Sequence, residues 1–379
     1  MDEKRLIAFF KDLHRHPELG WQEFRTTDRI RQALDEHGIE RMETGTETGA
    51  IAVIRGGKPG RVIGLRCDID ALPIQEETGL DYASENPGVM HACGHDSHAA
   101  IMLGAALLLK EREKALAGTV KVVFQPAEEV DCGATRMLKS GMLDDVDEFY
   151  GVHSYPWFAP GTLGVKEGPV MAAVDKFEIT LKGRGSHAGY PDRSIDPIPA
   201  AAALIQGAQT LISRNVNAFS PAVVSVTRVT AGNTWNVIPE TAELEGTVRT
   251  LNPEDRTMIR ERLRRMTEST AAAYGCEAEF EWTSGSAAVI NDSGLCEAAR
   301  ELGHRMGFEV LKQEDTMGAE DFSEYLMRKP GVFIRVGTGG FVAAHHPKFR
   351  VEPEALYPAA QYFARLAEEQ AGNKEDREI

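Results

Sequence analysis

Within eight residues, His91-Ala92-Cys93-Gly94-His95-Asp96-Ser97-His98 gathers one thiol, one carboxylate and three imidazoles. Further donors follow at Pro126-Ala127-Glu128-Glu129, Gly151-Val152-His153 and His345-His346-Pro347. In a coarse reading of the apolar pattern, each stretch stands at a strand end or in a loop. If these donors share one site, the fold has to bring strand ends from distant parts of the chain to one place. Parallel or mixed sheets do this, because their sites form at the carboxyl ends of the strands. The set mixes soft, borderline and hard ligands and includes one carboxylate more than a single ion needs. That combination points to a hydrolytic metal site and to bond cleavage by activated water.

The pattern around these stretches supports such a sheet. Leu6, Phe9, Phe10 and Leu13 recur at helical spacing, and a second helix runs through Ile30 and Leu34 to a stop at Gly38. Short apolar runs at 50–54, 62–65 and 120–124 read as strands, and a helix over 99–110 opens just after the Cys-His cluster. This alternation predicts an α/β fold with a mixed sheet covered by helices. Near Gly168-Pro169 the character changes. Phe177, Ile179 and Leu181 alternate, and after a turn at Gly183–Gly185 an Ala-rich helix spans 197–213. Strands at 223–229 and 242–250, a charged helix over 253–274 and a strand at 279–282 complete a β-α-β-β-α-β order of ferredoxin-like character. Helix–strand alternation then resumes with a helix over 293–306, a strand at 332–336 and a last helix from Pro353. The expectation is a discontinuous catalytic domain, 1–168 and 287–379, interrupted by an inserted α+β domain, 169–286. A length of 379 residues fits more than one core.

Charge and cysteine usage exclude several classes. With 42 Lys+Arg against 58 Asp+Glu the net charge is −16, a field that repels nucleic acid and anionic membrane surfaces. No apolar run approaches the ~20 residues of a membrane span. No apolar h-region of a signal peptide follows Met1-Asp2-Glu3-Lys4-Arg5. Five scattered cysteines (Cys67, Cys93, Cys132, Cys276 and Cys296) form no disulfide framework and fit a reduced, cytoplasmic setting.

Glu128 and Glu129 carry the reactive logic. Adjacent strand residues face opposite ways, but in a turn just after Pro126 both side chains can converge. One carboxylate then binds metal, while the other stays off it to act as general base and later as acid. His91 and His98 have no independent claim to ligation and read as supports for the ligands. His14, His16, His37 and His304 read as surface or hydrogen-bonded core residues, and Cys67, Cys276 and Cys296 as small core residues. Two other readings compete. One takes Cys93 with His95 as a thiol–imidazole nucleophile pair, but this leaves Glu129, His153 and His345 idle. A non-catalytic structural zinc site is the other, although such cages use four ligands at short spacing.

The chain resembles the aminoacylase-type metallopeptidases, within them the branch of hippurate hydrolase, indole-acetyl-amino-acid hydrolase and N-acetyl-diaminopimelate deacetylase. The resemblance rests on His16-Pro17-Glu18-Leu19-Gly20, Arg66-Cys67-Asp68-Ile69-Asp70-Ala71-Leu72-Pro73, Met90 to Asp96, Phe124 to Glu129, Gly151-Val152-His153, Gly185-Ser186-His187-Ala188, Asn236-Val237-Ile238-Pro239, Met317 to Phe322 and His345 to Phe349. It implies a metallo-exopeptidase-type catalytic domain with an inserted lid or dimerisation domain. It further implies two divalent ions held by Cys93, His95, Glu129, His153 and His345. Zinc or manganese suits these donors, and cobalt or nickel is compatible. By the same resemblance Glu128 is the general base and acid, and His187 stabilises the oxyanion, from the partner subunit in dimeric relatives. Asn236 matches a substrate-contacting position, and Asp70 looks like a supporting carboxylate. The implied substrate is an N-acyl amino acid and the implied assembly a homodimer or tetramer; dipeptidase or carboxypeptidase action at the same site is the alternative. Arg249 is a candidate partner for the substrate carboxylate. The chain departs from the family at Val130-Asp131-Cys132-Gly133, where glycines are usual, and Trp235 precedes Asn236 as a candidate pocket residue.

Overall fold

A computed structural model describes residues 2–372 of the chain. In chain order the helices are α1 (Glu3–Arg15), α2 (Phe24–Glu36), α3 (His95–Glu111), α4 (Glu128–Asp131), α5 (Gly133–Lys139), α6 (Pro197–Asn215), α7 (Pro253–Ala273), α8 (Ser293–Arg305), α9 (Ser323–Leu326) and α10 (Leu356–Ala371). The strands are β1 (Glu40–Met42), β2 (Ala50–Arg55), β3 (Lys58–Asp68), β4 (Ala117–Gln125), β5 (Glu148–Tyr155), β6 (Thr162–Gly164), β7 (Gly168–Met171), β8 (Ala173–Lys182), β9 (Ser186–His187), β10 (Ala222–Ala231), β11 (Val237–Ile238), β12 (Thr241–Thr250), β13 (Glu277–Ser284), β14 (Val289–Asn291), β15 (Glu309–Leu311) and β16 (Gly331–Gly337).

These elements form two compact units. The first takes the chain through Gly168, then Ile290–Glu314 and the part from Asp321 onward; the second takes Pro169–Val289 with Asp315–Glu320. The short 315–320 segment, expected with the catalytic domain, belongs to the second unit because its backbone is bonded there. Met171 bridges Thr316, and the Ala172 N–H donates to the Gly318 carbonyl at 2.9 Å.

The first unit is built on an eight-stranded sheet in the order β1-β2-β4-β3-β5-β16-β6-β15. Its central strands β4, β3, β5 and β16 run parallel to one another, while β2 joins β4 and β6 joins β16 antiparallel. β4, β5 and β16 are buried almost throughout and β3 from Ile63 onward, as a sheet covered on both faces requires. Helix α3 is the central one, with 14 of its 17 residues buried. A Cβ at Gly104 would lie 2.8 Å from Ala360 Cβ, so this glycine lets α3 and α10 approach closely. The buried Leu356, Phe363 and Leu366 of α10 join the same core, each worth about 1.5–3 kcal/mol by area.

α3 opens at His95, four residues before the position expected from its apolar pattern. Gly94 turns the chain at φ 88°, and its carbonyl accepts both the His98 N–H and the Ser97 hydroxyl. The polar residues of the cluster thus form the first turn of the helix.

The second unit is a four-stranded antiparallel sheet, β10-β12-β8-β13, with α6 and α7 in the connections. Each helix starts at a polar cap followed by proline: Asp196 accepts from the Ile198 N–H, and Asn252 from the Glu254 N–H. Phe177, Ile179 and Leu181 face the core on alternate positions of β8. This is the ferredoxin-like order expected from the sequence.

One buried ion cluster ties α1 to α3. His14 Nδ1 lies 2.6 Å from Asp96 Oδ2, and His14 Nε2 lies 3.3 Å from Glu76 Oε1. Burial opposes the charged ring, but Asp96 and Glu76 outweigh it and push the His14 pKa up to about 9. A group raised above its unfolded value of about 6.5 stabilises fully below that pH and stops doing so through its folded value. His14→Gln is therefore expected to cost about 3 kcal/mol at pH 6.5, as when a buried pair is broken. The gap in melting temperature from the parent should shrink as pH rises to 10; a gap constant across that range would contradict the charged state.

Candidate metal centre

The donors and their supports gather at the carboxyl ends of the four parallel strands. β3 ends at Asp68 with Asp70 just beyond, β4 runs into the turn before Glu128 and Glu129, β5 carries His153, and His345 lies in the loop after β16. Cys93 precedes α3 and His95 is its first residue. The local backbone is strained where it must deliver these groups: Ala127, Cys132 and His345 all have positive φ. The Ala127 N–H is held by Glu23 Oε1 at 2.8 Å, and the His345 N–H by the Ala92 carbonyl at 2.8 Å.

Asp70 organises one side of the site. Its Oδ1 and Oδ2 accept the Glu128 and Glu129 N–H groups at 3.1 and 3.0 Å, capping the one-turn helix α4 from outside. Its Oδ1 also lies 3.2 Å from His95 Nδ1. A carboxylate can only accept, so Nδ1 carries a proton, and in the neutral ring that a metal requires His95 Nε2 would be the free lone pair. On the other side His153 Nδ1 donates to the Ser154 carbonyl at 2.8 Å, which leaves its Nε2 facing Cys93 Sγ at 3.6 Å.

The donor atoms of Cys93, His95 and His153, of Cys93, Glu129 and His345, and of His95, Glu128 and Glu129 form three mutually close groups. These groups share members, so the six residues make one constellation within the first unit. Metal fits it on two observations. His95 Nε2 and Glu129 Oε1 are buried without a hydrogen-bond partner, and such atoms are costly unless something positive lies between them. A tetrahedral ion about 2.3 Å from sulfur and about 2.0 Å from nitrogen sets those donors roughly 3.5 Å apart. Cys93 Sγ to His153 Nε2 is 3.6 Å, and His345 Nε2 to Glu129 Oε1 is 3.2 Å.

Electrostatics argue in the same direction. Burial pushes the Cys93 thiol up to about 12, although the nearby His95 draws it down. A nucleophilic cysteine needs the opposite shift, and a metal would hold the sulfur as thiolate. Burial pulls the His153 pKa well below the ordinary histidine value and keeps the ring neutral, as a ligand requires.

The remaining expectations fall differently. His187 and Asn236 lie in the second unit, where they meet: β9 pairs with β11, His187 opposite Val237, and the Ala188 N–H donates to the Asn236 carbonyl at 3.0 Å. Arg249 does not join them. It sits near the end of β12, opposite Val223 and Val174, while Thr241 at the other end follows closely on Asn236. Eight residues of strand separate Thr241 from Arg249, roughly 27 Å. Within its unit Arg249 thus stands at the opposite end of β12 from His187 and Asn236. Trp235 is 92% exposed and packs into no pocket of its unit. Cys132 stands at the start of α5 with its sulfur 3.1 Å from Thr135 Oγ1.

Three supports escaped the sequence reading. Glu23, fully buried, holds the turn at Ala127. Arg66, also fully buried, bonds Asp68, Asp321 and the Gln125 amide oxygen. Asp68 bonds His98 at 2.6 Å. An Arg at one strand position followed by Asp two residues on was the available signal for the last two, since both then point to one face. Glu23 had no signal, being remote in sequence from what it holds.

A family profile described as peptidase family M20/M25/M40 matches residues 64–369. The N-acetylcysteine deacetylase of Bacillus subtilis (strain 168) is 50% identical over 364 residues, 96% of each chain. The N-acetyldiaminopimelate deacetylase of Bacillus velezensis is 36% identical over 376 residues, covering 97% of this chain and 100% of the relative. A crystal structure from Bacillus subtilis, described as a dinuclear metal binding peptidase from the M20 family, matches with a TM-score of 0.89 at 47% identity over 97% of this chain and 98% of that one.

Because Asp70 sets both His95 and the α4 backbone, Asp70→Ala should weaken metal binding about 10- to 100-fold. Calorimetric titration of zinc into metal-free protein checks this; unchanged affinity would remove Asp70 from the organising role.

Proposed function

The chain belongs to peptidase family M20/M25/M40, and from that premise we propose that it is a metal-dependent amidohydrolase cleaving the amide bond of N-acyl amino acids. Its relatives include deacetylases of N-acetylcysteine and N-acetyldiaminopimelate, which makes acetylated amino acids the first substrates to examine. In this reading Cys93, His95, Glu129, His153 and His345 hold two divalent ions. The thiolate and imidazoles favour zinc, and the carboxylate and imidazoles also accept manganese. When bound, the ions supply polarisation of the amide carbonyl and a lowered pKa for water.

The observation that carries the proposal is the pair Glu128-Glu129 at the start of α4. Both backbone N–H groups are fixed by Asp70, and both carboxylates fall in one donor group with His95. Glu129 Oε1 faces His345 and His95, at 3.2 and 4.0 Å, and so is spoken for as a ligand. Glu128 is left the proton-transfer role: its carboxylate takes the proton of the attacking water and delivers it to the departing amine nitrogen. His187 and Asn236, side by side in the second unit, are assigned to the oxyanion and the substrate. The proposal covers the expected cytoplasmic homodimer. All five cysteines are free, and among the described residues no helix is long and apolar enough to cross a membrane.

Purified protein loaded with zinc or manganese should release amino acid from acetyl, benzoyl, succinyl or indole-acetyl conjugates, with preference among them. Glu128→Gln should retain both ions and lose at least about 100-fold in kcat, the usual contribution of a proton-transfer residue. Full activity in this variant would overturn the assignment, and inactivity of the parent on the whole panel would overturn the substrate class.

A further inference from the structure

Asp68, His95 and His98 form a fully buried donor cluster that shares His95 with the centre. It has the composition of a third metal position, but the nitrogens of His98 are already committed. Ser154 N–H donates to His98 Nε2 at 2.7 Å, which requires that nitrogen to be bare. His98 Nδ1 therefore carries the proton and donates it to Asp68 Oδ1 at 2.6 Å. Asp68 in turn takes Arg66 Nη1 on Oδ2 at 2.8 Å. Both His98 contacts are satisfied by one tautomer only.

The next link is the Ser154 residue itself. Its N–H is held by His98, and its carbonyl accepts His153 Nδ1–H at 2.8 Å, leaving His153 Nε2 toward Cys93. The His98 ring also packs 4.8 Å from the His153 ring and 5.3 Å from the His95 ring. Helix α3 carries both His95 and His98, so the ring is anchored to the element that delivers one ligand while it bonds the strand that delivers another.

On the two-ion reading of the site, we propose that His98 is a positioning residue: by accepting the Ser154 N–H it fixes the Ser154 backbone, whose carbonyl aims His153 Nε2 at the ion shared with Cys93. Asp70 serves the Glu128–Glu129 side in parallel. The two carboxylates of Asp68-Ile69-Asp70 thus each orient a different part of the ligand set.

The test uses full-length protein stripped of metal and titrated with cobalt, read by calorimetry and by thiolate-to-cobalt absorption. His98→Phe keeps the ring volume and stacking but makes neither hydrogen bond. It should weaken one of the two binding events by about 10- to 100-fold and alter the thiolate band, leaving the other event in place. His98→Gln, whose amide reaches the Nε2 position and accepts from Ser154, should stay within about threefold of the parent. His98→Asn reaches Asp68 but not Ser154 and should lose as Phe does, which decides the matter if the Phe variant does not fold. Parent-like titration of the Phe and Asn variants, or equal loss in Gln, Phe and Asn, would overturn the relay. A parent that binds two ions yet hydrolyses no N-acyl amino acid would remove the proposed function and leave this inference standing.

Discussion

The fully buried guanidinium of Arg66, on β3, is clamped between the carboxylates of Asp68 and Asp321 and the amide oxygen of Gln125. A charge without water is tolerable only when paired and fully hydrogen-bonded, so this group dictates the positions of everything around it. Gln125 in turn donates to both oxygens of Asp321, whose Oδ2 also accepts the Ala134 N–H. The ends of β3 and β4, the start of α5 and the segment before α9 are locked together by one connected polar network. Networks of this kind are rigid when complete and costly when any member is missing.

The candidate centre is mounted on that frame. Asp68 passes the position of Arg66 to His98, and Asp70 passes the end of β3 to His95 and to the first turn of α4. The donors come from the turn after β4, from β5, from the start of α3 and from the loop after β16, and His95, Glu128, Glu129, His153 and His345 are each fixed by a bond to a neighbour that is not itself a donor. Backbone strain at Ala127 and His345 persists because Glu23 and the Ala92 carbonyl hold the respective N–H groups.

Much of this was legible beforehand. The alternation of Phe177, Ile179 and Leu181, and the Asp-Pro and Asn-Pro starts at Pro197 and Pro253, mark their elements through period and capping, which are local physics. The start of α3 was misread because His95 to His98 are polar, and polar residues in a first turn look like loop until one sees that they are buried. A lone arginine such as Arg249 announces a charge but not the end of the strand on which it stands.

The sequence by itself determined the donor types, the α/β and ferredoxin-like rhythms and the family, because ligand chemistry and hydrophobic period are written in residue identity and spacing. Only the tertiary structure decided which imidazole nitrogens are bonded to neighbours, which carboxylates accept backbone N–H groups and which face the other donors, and how Glu23 and Asp321 take part. Those choices depend on hydrogen-bond partners that are adjacent in space while lying tens to hundreds of residues apart along the chain, such as Arg66 and Asp321. No local pattern encodes them.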